Sequence, residues 1–143
     1  MKQAMRWLVG FVLAVLVAGA LASVASTQFV LHELGKLGVA VSPGDRLAMT
    51  VHDVVGMLPL YGGVIAVAFL VALPVAQWLS RRAPQAAGAL HFAAGFAALV
   101  VALKAMQLSF DITPVAGARS AAGLLVQGLA GGLAALVLLA QRR

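Results

Sequence analysis

Four stretches free of charge, 7–25, 54–76, 86–103 and 121–140, take up most of this chain, and every charged residue falls in the segments between and beside them. None of the four alternates apolar and polar residues in twos, so the pattern predicts helices and not strands. A helix rises 1.5 Å per residue and the hydrocarbon core of a bilayer is roughly 30 Å thick, so each stretch is long enough to cross it. Backbone polar groups in lipid must be satisfied internally, which leaves helices as the spanning form. The expected fold is an all-α integral membrane protein, an up-down bundle of four transmembrane helices with a partly helical outer loop over 26–53. Residues 1–143 are expected to form one membrane domain.

Local signals fill in the connections. Thr27 is placed to cap a short helix over 28–37, with Val30, Leu34 and Leu37 on one face and Gly38 as its stop. Ser42-Pro43-Gly44-Asp45 reads as a helix start: a serine cap, a proline whose missing donor costs nothing, and an acid at the positive end of the helix dipole. Pro59, followed by Gly62 and Gly63, is expected to kink or break the second long helix near the outer surface, and Pro74 to add a smaller bend. Arg81-Arg82-Ala83-Pro84 is a tight turn, 107–113 a second short connection, and Thr113-Pro114 the expected start of the last helix. Short connections make neighbouring helices antiparallel.

Charge gives the orientation. The ten Lys and Arg against four Asp and Glu leave a net charge of +6. Lys2, Arg6, Arg81, Arg82, Arg142 and Arg143 stand at the two ends and the second connection with no acid among them. Lys36, Arg46, Lys104 and Arg119 share the first and third connections with Glu33, Asp45, Asp53 and Asp111. Positive residues are retained on the cytoplasmic side, so both termini are expected there, in a bacterial inner membrane. Trp7 and Trp78 fall near that interface, where indole rings favour the headgroup level. Topology accounts for the basicity, and no nucleic-acid partner is called for. The first stretch also resembles a secretory signal, with Lys2, Arg6 and the small residues of 20–26, but its apolar run exceeds the usual 7–15 residues of a signal core, so it is expected to be retained.

The chemistry on offer is sparse. With no cysteine there is no disulfide, thiolate or iron–sulfur chemistry. No Asp, Glu, Lys or Arg lies near the middle of any span, which disfavours a secondary transporter, since proton coupling needs such a group. His91 and Gln127 are the polar residues at depth. Gln127 is expected to bond a neighbouring helix, and His91 to bond a neighbour, titrate or hold a ligand. Haem between His52 and His91 fails on depth, the two being roughly 20 Å apart along the membrane normal. Outside, Arg46, His52, Asp53, Asp111 and Arg119 form the candidate binding cluster, with Thr50 placed to link Arg46 to Asp53; the plainer reading is a solvated rim of ion pairs. No H-x-x-x-H pair marks a metal site, no cofactor is specified, and the serines lack the surroundings of a nucleophile. Among 15 glycines, Gly128 and Gly132 form a GxxxG pair, while Gly95 shares a narrow face with His91, Ala98 and Ala102; these are expected to pack helices, within the chain or in a homo-oligomer. Taken together, the residues point to a non-catalytic membrane subunit or scaffold with a membrane-protein partner and surrounding lipids. The alternative is a lipid-, quinone- or cofactor-binding component of a membrane enzyme.

Overall fold

Helix α1 (Lys2–Lys36) is the first of four helices long and apolar enough to cross a membrane, with α2 (Pro43–Arg82), α3 (Ala87–Phe110) and α4 (Ala121–Ala140). The computed structural model describes residues 2–110 and 115–141, the side chains of Lys2 and Phe110 excepted. Among these residues there is no strand, and two 3-10 turns, Pro84–Ala86 and Ala116–Ala118, complete the secondary structure. The helices form a closed ring in which α1 packs on α2, α2 on α3, α3 on α4, and α4 back on α1. Rising positions on each helix meet falling positions on the next: Gly19 lies against Leu58 but Thr27 against Asp53, and Phe92 against Gly132 but Phe96 against Gly128. Neighbours therefore run antiparallel, and the molecule has a basic end, with Arg6, Arg81 and Arg82, and a hairpin end, where α1 joins α2.

At 1.5 Å per residue α1 and α2 are about 50 and 60 Å long, whereas α4 is about 30 Å. The first two helices overshoot the others as an antiparallel hairpin. Three expectations change here. The short helix over 28–37 is no separate element: α1 runs unbroken to Lys36, so the loop expected over 26–53 shrinks to residues 37–42. Thr27 does not cap, because its hydroxyl is buried against Ser23 and Asp53. Pro59 does not end α2, which stays helical through both prolines. The side chains of Arg46, Thr50 and Asp53 are hydrogen-bonded to Gln28 and Thr27 of α1, which holds the segment before Pro59 against its neighbour.

Other signals act where expected. Gly38 takes the left-handed conformation, φ +79°, and Val39 N–H reaches back to Leu34 O at 3.1 Å to close α1. Ser42 caps α2, accepting from Asp45 N–H at 3.1 Å. The last helix instead starts at Ser120, which accepts from Gly123 N–H at 3.0 Å. Thr113 and Pro114 lie outside the described residues.

The core is built of small side chains. Gly10, Ala14, Ala18, Ala22 and Ser26 recur every fourth residue along α1 and are all buried. They let α4 approach closely, and Ser26 Oγ accepts from Gly117 N–H at 3.1 Å where the 3-10 turn folds over α1. Phe69, Ile65, Leu73, Leu99 and Leu138 fill what remains.

Candidate functional site

The two small-residue features of α3 and α4 serve different purposes. A Cβ on Gly95 would strike Gly131 O, and one on Gly131 would strike Gly95 O, so these two positions bring the backbones together. Gly128 and Gly132 instead receive rings: a Cβ would sit 2.7 Å from Phe96 Cε2 at Gly128 and 2.7 Å from Phe92 Cε2 at Gly132. The GxxxG pair is thus occupied within the chain, as sockets for the stacked pair Phe92 and Phe96.

Gln127 stands at the centre of the ring. Its Nε2 donates to Ala22 O at 3.0 Å and its Oε1 accepts from Tyr61 Oη–H at 3.0 Å. One amide therefore joins α4 to α1 and, across the ring, to α2. Tyr61 escaped the sequence reading because tyrosine in an apolar run reads as packing; its hydroxyl becomes informative only once Gln127 is known to face it.

At the hairpin end the candidate cluster separates. Arg46 Nη1 donates to Gln28 Oε1 at 2.9 Å, Gln28 Nε2 donates to Thr50 Oγ1 at 3.3 Å, and Thr27 Oγ1 donates to Asp53 Oδ2 at 2.7 Å. Arg46, Thr50 and Asp53 do share a face, but that face is turned to α1: Gln28 joins Arg46 to Thr50, Thr27 takes Asp53, and Thr50 does not link Arg46 to Asp53. His52 points away and is exposed. Arg119 lines a different hollow, of about 540 Å³, with Phe29, Val30, Glu33, Leu34 and Ser120. Asp111 lies outside the described residues. Arg46, His52, Asp53 and Arg119 are therefore not one site. Thr27→Val is expected to lower stability by about 1 kcal/mol, the net value of one hydrogen bond, measured by reversible unfolding in mixed detergent. Glu33 lies 2.8 Å from Lys36 Nζ, whose hydrogen bond and charge hold its carboxyl below the ordinary range. A lowered carboxylate pKa means that any support from this pair is present above the ordinary range and lost as pH falls. Both partners are exposed, so it is slight.

His91 is buried at the basic end, 1% exposed. It lies level with Ser80 of α2, 3.4 Å from the hydroxyl. Since α2 is one helix, Ser80 is about 40 Å along it from His52, twice the separation the sequence suggested, because His52 rides on the overshooting hairpin.

A wide concavity opens laterally among the described residues. An open, almost wholly apolar groove of about 800 Å³ runs between α2 and α3. It is lined by the small residues Gly63, Ala68, Ala97, Ala98 and Ala102 and by Leu60, Val67, Val71, Val101 and Met106. Leu60, Val67, Val71 and Val101 are exposed, at 79, 68, 68 and 64%. Compared with known protein families, with curated proteins and with solved structures, the chain matches none.

Proposed function

We propose that this chain is a non-catalytic subunit of a membrane assembly, and that the groove between α2 and α3 receives a transmembrane helix of another protein. The observation that carries this reading is the groove itself. Lipid tails are as apolar as leucine, so helices associate in membranes through close packing, and small residues are what permit it. The α3–α4 contact is already closed at the backbone, while α2 and α3 leave a trough lined by glycine, alanine, valine and leucine. A helix laid there would bury a row of exposed β-branched side chains that are stiff before binding and so lose little freedom.

In this reading the basic end lies in the cytoplasm of a bacterial inner membrane, both termini lie inside, and the α1–α2 hairpin projects from the outer face. The absence of acids around Arg6, Arg81 and Arg82 supports that orientation, as does Trp78, whose ring lies 4.3 Å beneath the Arg82 guanidinium. The native chain has no cysteine, so single cysteines report cleanly. Asp45→Cys is expected to react with an impermeant reagent added to the outer face of cells. Labelling only after the cytoplasm is opened would overturn the orientation. Native mass spectrometry of the gently solubilised protein tests the assembly: a defined complex with a further membrane protein is expected, and a lone chain after mild extraction would count against it.

A further inference from the structure

Two opposite charges face one hollow at the hairpin end. Glu33 and Arg119 both line the space of about 540 Å³ between α1 and the start of α4, yet they form no ion pair with each other. Lys36 occupies one oxygen of the Glu33 carboxylate, Oε1 at 2.8 Å, from a well-exposed position. That lysine holds the carboxyl below its ordinary range, so Glu33 is an anion at neutral pH. Ser120, also in the lining, accepts from Gly123 N–H and keeps its own hydroxyl hydrogen to give. Phe29, Val30, Leu34 and Leu37 add an apolar wall from α1. A cation and an anion set apart on apolar walls suit a ligand that carries both charges on an apolar body.

Depth indicates which ligand of that kind is at hand. The 20 residues of α4 are about 30 Å long, the thickness of the hydrocarbon core, so Arg119 and Ser120 stand at its boundary on the hairpin side. Ser26 marks the same level on α1, since its Oγ meets Gly117 N–H at 3.1 Å. Glu33 lies two turns further along α1, about 10 Å outward. The headgroup layer beyond the hydrocarbon is about 5–8 Å deep on each side. The cation therefore stands at the foot of that layer and the anion at its top. An ethanolamine phospholipid carries the complementary order: its phosphate adjoins the glycerol, and its ammonium ends the headgroup.

We propose that this hollow binds one phosphatidylethanolamine of the leaflet on the hairpin side, its phosphate meeting Arg119 and Ser120 and its ammonium meeting Glu33. The glycerol and upper acyl carbons then lie against Phe29 and Val30. Arg119 supplies charge and a forked donor for the phosphate. A primary ammonium gives Glu33 hydrogen bonds as well as charge, which a quaternary choline does not. Both charged side chains are exposed, so nothing has to move for a headgroup to reach them. The site belongs to α1 and α4, across the ring from the groove of α2 and α3, and is independent of the helix-docking reading.

The test uses the full-length protein in maltoside micelles, titrated with phosphatidylethanolamine or with phosphatidylcholine of the same chains, native mass spectrometry following the one-lipid adduct. The ethanolamine lipid is expected to bind about fivefold more tightly, the effect of one hydrogen bond. Glu33→Gln is expected to bring it down to the level of the choline lipid, whereas Lys36→Gln, which removes the competing cation, keeps the preference. Arg119→Gln is expected to weaken both lipids by about fivefold, and Arg81→Gln at the basic end to leave both unchanged. Equal binding of the two lipids by the native chain, which needs no variant to fold, would overturn the role of Glu33. Tighter binding of phosphatidylglycerol than of either would mark a site for anions alone and overturn it too. Binding indifferent to Arg119→Gln would mark ordinary boundary lipid and overturn the site. Displacement of the lipid by millimolar phosphoethanolamine would show that the ligand is a soluble zwitterion, which also contradicts the proposal.

Discussion

Gly131→Ala is expected to destabilise the fold strongly, by about 3 kcal/mol or somewhat more, at the upper end of overpacking costs. The added methyl group would strike Gly95 O and come within 3.0 Å of Leu99 Cδ1. A side chain can turn aside, but the carbonyl of a helix can move only if α3 and α4 separate along their length. Gly56→Ala makes the same chemical change where nothing lies within 4 Å. It is expected to be neutral or to add up to about 1 kcal/mol, because alanine restricts the unfolded chain more than glycine does. Reversible unfolding in mixed detergent compares the two directly. Equal effects would mean that α3 and α4 do not meet at the backbone.

The second large effect belongs to the amide at the centre of the ring. Gln127→Leu removes both bonds of residue 127 and leaves the Tyr61 hydroxyl buried without an acceptor, a loss expected to reach about 2 kcal/mol. Tyr61→Phe leaves Gln127 Oε1 without its donor and is expected to cost about 1 kcal/mol. The double variant Tyr61→Phe/Gln127→Leu should be less destabilised than the two losses combined, since with both polar groups gone nothing is stranded. Strict additivity across this cycle would contradict the bond between Tyr61 and Gln127.

Much of the architecture was legible in the sequence because a membrane-sized helix declares itself by length and lack of charge. Positions 7–25, 54–76, 87–103 and 121–140 all fall within the four long helices, with Ala86 in the 3-10 turn just before α3, and Gly38 and Ser42 act as local backbone rules require. The misreadings arose where tertiary contacts outweigh local signals. Thr27 has the chemistry of a helix cap, but a carboxylate on α2 takes its hydroxyl and α1 continues. Pro59 removes a hydrogen bond from α2, yet α2 continues through it, with the segment before it bonded to Gln28 and Thr27 of α1. Arg46, His52, Asp53 and Arg119 could be recognised as a group, but whether they face one another depends on the phase of two helices, and a run of polar residues on an overshooting hairpin does not encode that. His91 was visible as a polar residue at depth. That its Nε2 has no partner among the described residues was not, because that follows from which carbonyl the other nitrogen meets. The groove was invisible for a similar reason: Gly63 and Ala97 are unremarkable until α2 and α3 are set side by side.

The most direct test of a helix-docking subunit is a photo-crosslinking amino acid placed at Val67, on the groove wall, and at Leu133, an exposed position on α4, in cells producing the full chain. Both side chains are open, at 68 and 52%, so lipid alone would treat them alike. The account predicts a discrete crosslinked protein band from position 67 and none from 133. Crosslinks from 67 to lipid only, or the same bands from both positions, would contradict it.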